Sequence, residues 1–348
     1  MHGVSGGPLR LVVMGTGPFA VPMFQMLAQS PHAIAALVTR PAHAPPGRRP
    51  PPNPRRDAAA AAGLAILDPE RINDPAATAA VAALAPDLLV VCDYGQILAP
   101  AALATARLGG INLHGSLLPR HRGAAPVQWT ILEGDPLAGV SVIHMTPALD
   151  AGNVIVTRST PVGPRETAAE LEARLAELGT AAVLEAIDRL AAAVAAGGPE
   201  AAVGIPQDPG RATRAPRLKK ADGIVDWTWP APRIERLRRA LEPWPRATTF
   251  WTRADGARQR LVLADVAMVP AAASAAPGTV VGAADGRLVV ACGAGTALEI
   301  LRLVPEGRRE MSAADFLRGS PLAVGARLGL PESAVRPDLQ KPPAGAGG

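Results

Sequence analysis

Cysteine is almost missing from this chain: its 348 residues hold only Cys92 and Cys292. Two distant thiols build neither a disulfide framework nor a zinc cluster, and they suit a reducing cytoplasmic compartment. Lysine is equally scarce, confined to Lys219, Lys220 and Lys341. The other basic residues are arginine, and alanine, proline and glycine are abundant. That bias runs through the whole chain, so single arginines and runs of alanine carry little functional signal. No apolar run reaches the roughly 18 residues that a membrane helix needs. The opening MHGVSGGPLR has no basic segment leading into an apolar stretch, so it does not read as a secretion signal.

What is present divides the chain. Its length favours two domains, and 48% hydrophobic residues are enough for buried cores. Residues 1–207 carry 14 arginines against 16 acidic residues, whereas 208–330 carry 19 basic residues against 12 acidic ones. A basic half joined to a near-neutral half suggests a module that binds a polyanion.

The first half alternates strands and helices. LRLVVMG (9–15), AIAALVT (33–39), LAILD (64–68), DLLVVCDYG (87–95), LGGINLHG (108–115), AGVSVIHMT (138–146) and NVIVTRS (153–159) read as strands. PFAVPMFQMLAQS and DPAATAAVAALA read as helices, and 166–197 as one long helix or two. The pattern predicts an α/β domain over 9–204, an open, mainly parallel sheet with helices on both faces. IPQDPGRATRAPR marks a linker at 205–217. Short β-like runs follow over 218–332, one with the hairpin signal Asp-Gly, and predict a small OB-like β-barrel. Residues 1–8 and 333–348 are expected to be disordered. The segment RPAHAPPGRRPPPNPRR (40–56) has five arginines, seven prolines and no acid; it reads either as a solvated loop or as a phosphate contact.

Gly15, Gly17 and Ala20 fit the dinucleotide fingerprint G-x-G-x-x-A after a strand. The fingerprint wants an acid at the end of the second strand, where this chain has Arg40, and Pro18 removes a turn donor. A nicotinamide cofactor is therefore disfavoured.

The chemistry concentrates in INLHGSLLPRHRGAAPVQW (111–129). Asn112 and His114 stand two apart at a strand's end, so both side chains share one face, at the edge where open α/β sheets bind ligands. A neutral amide donor beside an imidazole suits a developing oxyanion. Asp150, in PALDAGNVI, is the best carboxylate to tune the ring. Each feature alone is more often structural; their combination is not.

NLHGSLLPRHRGAAPVQW with DAGNVI downstream resembles the 10-formyltetrahydrofolate-dependent formyltransferase family. Its catalytic Asn and His lie in an N-x-H-x-SLLP signature and its Asp in a D-x-G turn, which fall on Asn112, His114 and Asp150. From about residue 9 to 330, MGTGPFAVP, VVCDYGQIL, LKKADGIVDW, EPWPRATTFW, PGTVV and VPEGRREMSAADFLRG resemble, in order, members that act on charged initiator tRNA. His121 stands where the family usually has an aromatic, and arginines and prolines replace the family's mixed basic loop.

The resemblance implies formyl transfer from 10-formyltetrahydrofolate to the α-amine of methionyl-initiator tRNA, without metal, in a cytoplasmic monomer. Asn112 and His114 would stabilise the tetrahedral oxyanion. Asp150 would favour an imidazolium at His114 and take the amine's proton directly or through water. Ser116, Leu117, Leu118 and Pro119 would line the folate pocket. Backbone groups around Tyr94, Gly95, Gln96, Ile97 and Leu98 would hold the pterin edge. Arg48, Arg49, Arg211, Lys219 and Lys220 are the candidate tRNA contacts. A solvated charged face is the competing reading for Arg211, Lys219, Lys220, Arg238 and Arg239. Trp227, Trp229 and Trp244 are expected to pack, and buried Cys92 to fill core. An amino-sugar acceptor, hydrolysis of formyl-folate and a silent RNA-binding scaffold stay open as alternatives.

Overall fold

The most apolar stretches of the chain become its central strands. The computed structural model describes residues 7–42, 53–198, 202–253, 255–270, 275–320 and 322–329. β1 (Arg10–Met14), β2 (Ala33–Val38), β3 (Ala65–Leu67), β4 (Leu88–Val91) and β5 (Gly110–His114) form a parallel array. Every residue of β4, Leu-Leu-Val-Val, is buried, as expected for a strand covered on both faces. β6 (Arg122–Gly123) lies off this sheet, and β7 (Leu137–His144) and β8 (Val154–Pro161) extend it antiparallel. The strand order is β3-β2-β1-β4-β5-β7-β8. β1 thus pairs with both β2 and β4, and the chain changes direction between β1 and β4, where open α/β sheets present a ligand crevice.

The helices of this half are α1 (Val21–Ala28), α2 (Pro54–Ala61), α3 (Pro75–Ala82), α4 (Pro100–Leu103), α5 (Pro126–Glu133) and α6 (Ala168–Ala195). α1 to α4 each place proline in their first two positions, where the missing N–H interrupts no helical bond. The helix expected from Pro18 opens as a 3-10 turn over Pro18–Ala20 before α1 begins. The long stretch after 166 is one helix, α6. Among the described residues no helix is long and apolar enough to cross a membrane.

β9 (Arg214–Ala215) pairs with β6. The remaining strands, β10 (Thr248–Thr252), β11 (Arg258–Val269), β12 (Val280–Gly282), β13 (Leu288–Ala291), β14 (Ala297–Pro305) and β15 (Met311–Ser312), form an antiparallel sheet accompanied by α7 (Ala231–Ala240) and α8 (Ala313–Gly319). Its order is β10-β11-β14-β13-β12, with β15 on β14. The two edges are joined by one short segment: Leu328 bridges to Trp251 of β10, and Arg327 bridges to Thr279 just before β12. That closure gives the barrel the strand pattern predicts. Asp285 and Gly286 both have positive φ, 53° and 74°, as the Asp-Gly turn between β12 and β13 requires.

Among the described residues, two compact units share the chain. One takes the residues up to Pro126, Leu137–Pro161 and Leu171–Pro216; the other takes Val127–Pro136, Val162–Glu170 and the chain from Arg217. Of the stretch 205–217, residues up to Pro216 group with the first unit and Arg217 with the second. Ile205 pairs with Val154, and β9 pairs with β6, so backbone bonds hold the stretch to the first unit. The expected disordered tail (333–348) and residues 1–6 lie outside the described residues, as do 43–52 of the proline-rich loop.

Candidate active site

β5 delivers Asn112 and His114 to one face. Leu113 between them points the other way, toward α6, where a Cβ on Gly179 would lie 2.7 Å from Leu113 Cδ2. In the β5–β7 register His114 pairs with Ser141 and Asn112 with Ile143. Asn112 is half-buried, and its amide has no hydrogen-bond partner among the described residues.

His114 is buried. Its Nε2 lies 2.9 Å from the His121 carbonyl oxygen. A carbonyl can only accept, so Nε2 carries the hydrogen. Nδ1 then faces Asp150 Oδ2 at 3.7 Å. Asp150 sits in a turn at φ 49°, a left-handed position that Asp tolerates better than most residues. Its Oδ2 also accepts the Gly123 backbone N–H at 2.9 Å. Gly123 adopts φ 132°, and a Cβ there would come within 2.5 Å of the Ala215 carbonyl. Only glycine lets that N–H reach the carboxylate.

The Ser116–Pro119 loop is pinned from the sheet. Ser141 Oγ donates to the Ser116 carbonyl at 2.8 Å and accepts the Leu118 N–H at 3.1 Å. Ser116 Oγ donates to the Arg120 carbonyl at 2.6 Å, so this buried hydroxyl shapes the loop from within. Leu117 fills the space over Gly139, where a Cβ would lie 2.4 Å from Leu117 Cδ2. Leu118 and Pro119 are half-buried.

The 94–98 turn follows β4. Tyr94 and Leu98 are buried in the core cluster beside Val91 and Met14. Burial pushes the Tyr94 phenol up to about 12, so it stays neutral. Gln96 spends its side chain on the Ile72 N–H and the Glu70 carbonyl. Gly95 has φ 79°, and Ile97 is 72% exposed. Gln96 is thus committed, Ile97 and Leu98 are aliphatic, Gly95 has no side chain, and the Tyr94 hydroxyl is buried, with no hydrogen-bond partner among the described residues. That leaves the turn's backbone as the polar surface a flat heterocycle would meet.

The glycine fingerprint is spent on internal bonds. Thr16 and Gly17 both donate their N–H to the Asp93 carbonyl, at 2.9 and 3.2 Å, and Gly15 donates to Val38. The Asp93 carboxylate lies over Gly17, where a Cβ would fall 1.4 Å from Oδ2. An acid covers the place a pyrophosphate would need, which argues against a dinucleotide. Cys92 is buried, and burial pushes its thiol well above the usual range, in keeping with core filling.

Of the candidate tRNA contacts, Arg48 and Arg49 lie outside the described residues. Arg211, in the first unit, and Lys219 and Lys220, in the second, are exposed. Arg238 and Arg239 are buried, contrary to a solvated face; Arg239 donates to Glu235 and to the Glu166 carbonyl. Trp227 and Trp229 pack as expected, but Trp244 is 57% exposed.

Sequence reasoning missed four residues that shape this site. Ser141 was legible as a polar side chain between two valines of β7. Gly123, Arg122 and Gln207 gave no local signal. Arg122 Nε and Nη2 donate to Gln207 Oε1, and Gln207 Nε2 donates to the carbonyls of Asp150 and Gly152.

The formyl transferase family profile matches residues 9–187, and the profile of the formyl transferase C-terminal domain matches 217–321. A methionyl-tRNA formyltransferase of Rhodopirellula baltica is 46% identical over 93% of this chain and 97% of its own length. Among solved structures, the N-formyltransferase of Helicobacter canadensis, with folinic acid and dTDP-3-aminofucose, superposes with a TM-score of 0.59 at 13% identity, over 84% of this chain and 98% of its own. HypX of Aquifex aeolicus, in complex with tetrahydrofolic acid, gives 0.55 at 17% identity; this chain spans 46% of that protein, with 89% of its own residues covered. These structures share the fold, and the full-length sequence match narrows the assignment: the chain belongs to the methionyl-tRNA formyltransferase family.

Proposed function

We propose that this chain transfers the formyl group of 10-formyltetrahydrofolate to the α-amino group of methionyl-initiator tRNA. The observation that supports this most directly is the convergence of Asn112, His114 and Asp150 at the end of β5, in a chain that matches such relatives along their length. The formyl-folate supplies an activated one-carbon acyl group.

The chain's own residues account for the rest. When an amine attacks the formyl carbon, charge builds on the formyl oxygen. The Asn112 amide, which has no hydrogen-bond partner among the described residues, would donate to it, a contribution of about 3–4 kcal/mol in comparable sites. His114 is tied at Nε2 to a carbonyl, so its second ring nitrogen donates only in the doubly protonated form. Asp150, 3.7 Å from that nitrogen, is the counter-charge of this form. The same carboxylate, held by Gly123, would receive the proton that the attacking amine loses and return it to the folate nitrogen as the bond between that nitrogen and the formyl carbon breaks, so that tetrahydrofolate leaves neutral. Leu117, Leu118 and Pro119 form the apolar side of the folate pocket, and the 94–98 backbone its polar edge.

Acceptor binding is assigned to charge. Lys219, Lys220 and Arg211 would meet phosphates, and Arg48 and Arg49 the acceptor end. The domain division, 9–204 for catalysis and 218–332 for tRNA, follows the same reading, as does a cytoplasmic monomer.

The test is formyl transfer by the purified protein, comparing charged initiator with elongator tRNA, and His114→Ala as control. Rapid, His114-dependent formylation of the initiator alone is expected. Transfer to amino-sugar nucleotides instead would overturn the acceptor; no transfer to any amine would overturn the chemistry.

A further inference from the structure

We propose that Gln207 is a positioning residue for the transfer reaction, fixing the turn that aims Asp150 at His114. This rests on the function proposed above. The amide of Gln207 uses its full capacity in two directions. Its Oε1 accepts from Arg122 Nε at 3.1 Å and Nη2 at 2.7 Å. Its Nε2 donates to the Asp150 carbonyl and to the Gly152 carbonyl, both at 2.8 Å. Two carbonyls that flank Ala151 therefore converge on one NH2 group, which sets the direction of both peptide planes.

That turn needs an external hold. Asp150 occupies φ 49°, a conformation unfavourable for a side-chain-bearing residue. Gly152 is packed so closely that a Cβ would lie 1.9 Å from the His144 carbonyl. The Gln207 bonds anchor the backbone of Asp150, and the neighbouring Gly123 N–H anchors its carboxylate. Arg122 and Gly123 are consecutive, so the two anchors form one ring: Gly123 to the Asp150 carboxylate, Asp150 carbonyl to Gln207, Gln207 to Arg122. The ring fixes the carboxylate at both ends, and that is what keeps Oδ2 3.7 Å from His114 Nδ1.

The chemistry demands an amide at 207. A glutamate of the same length keeps the Arg122 pair, but when ionised it has no hydrogen to give and faces two carbonyl oxygens. An asparagine is a methylene short. Gln207 itself touches neither reacting atom, so its effect runs through Asp150.

The experiment compares wild type, Gln207→Glu and Gln207→Ala in steady-state formylation, across pH, with the side-chain nitrogen shifts of His114 followed by NMR in the same proteins. Losing the hold lowers kcat by about 10- to 100-fold, the scale of a small misplacement near the reacting atoms, while KM for both substrates stays within about twofold. Gln207→Glu recovers part of the loss as pH falls and its carboxyl gains a hydrogen to donate, whereas Gln207→Ala does not. The His114 nitrogen shifts change in both variants. Wild-type kcat and an unchanged pH profile in Gln207→Ala would overturn the inference, as would loss that merely parallels thermal unfolding. If the wild type formylates nothing, the functional reading fails by itself; unchanged His114 shifts in the variants would then sink the positioning role separately.

Discussion

The Gly123 N–H and the Asp150 carboxylate meet at 2.9 Å, and nothing but a hydrogen on the Gly123 α-carbon permits it. Gly123→Ala would put a methyl 2.5 Å from the Ala215 carbonyl at φ 132°. The strain costs about 1–3 kcal/mol, and relief of it pulls the donor off Asp150. A lower melting temperature together with a fall in kcat larger than the change in KM is expected. Full activity in a stably folded Gly123→Ala would remove this contact from the site.

Ser141 carries the Ser116–Leu118 loop. Ser141→Ala leaves the Leu118 N–H and the Ser116 carbonyl without their partner in a buried place, worth about 1–3 kcal/mol. The loop is read as a wall of the folate pocket, so KM for formyl-folate rises while KM for tRNA holds. Equal rises in both would show that Ser141 serves stability alone.

Glu172, on α6, provides a pH signature. Burial, reinforced by the Asp93 charge, raises its carboxyl above the ordinary range. A group whose folded value is raised binds its proton more tightly in the folded chain. Its contribution to stability is complete below the usual carboxylate value of 4.5 and is lost as pH climbs through the folded value. Glu172→Gln removes that loss. Urea titration at pH 7 is expected to find the variant more stable than wild type, with the two converging near pH 4. A gap that widens toward acid would contradict the burial argument.

How much of this was legible follows from range. β1, β4 and β5 announce themselves as apolar runs because both sheet faces are covered. Asn112 and His114 could be assigned to one face because strand alternation is a local rule. The Asp285–Gly286 turn is local too. Gln207 was illegible for the opposite reason: it sits 57 residues from Asp150, in a stretch rich in the Pro and Gly that mark linkers. Composition there reports an absence of regular structure, and side-chain and backbone bonds to a distant turn leave no trace in it. Trp244 misled similarly. An aromatic is usually core, but Trp244 is 57% exposed, and nothing in its local sequence signals that.

Lys220 tests the charge reading of the second unit. It is exposed, and 208–330 carries 19 basic against 12 acidic residues. Removing one phosphate contact weakens tRNA binding uniformly and lowers the slope of log affinity against log salt by about 1. Lys220→Ala should thus raise KM for tRNA at low salt, leave kcat and KM for formyl-folate alone, and approach wild type as salt increases. Affinity measured across a salt series distinguishes this from a fold defect, because a misfolded unit would bind poorly at every salt concentration. An unchanged slope would reassign Lys220 to the solvated face, and the phosphate contacts would then be sought among the other exposed arginines of that unit.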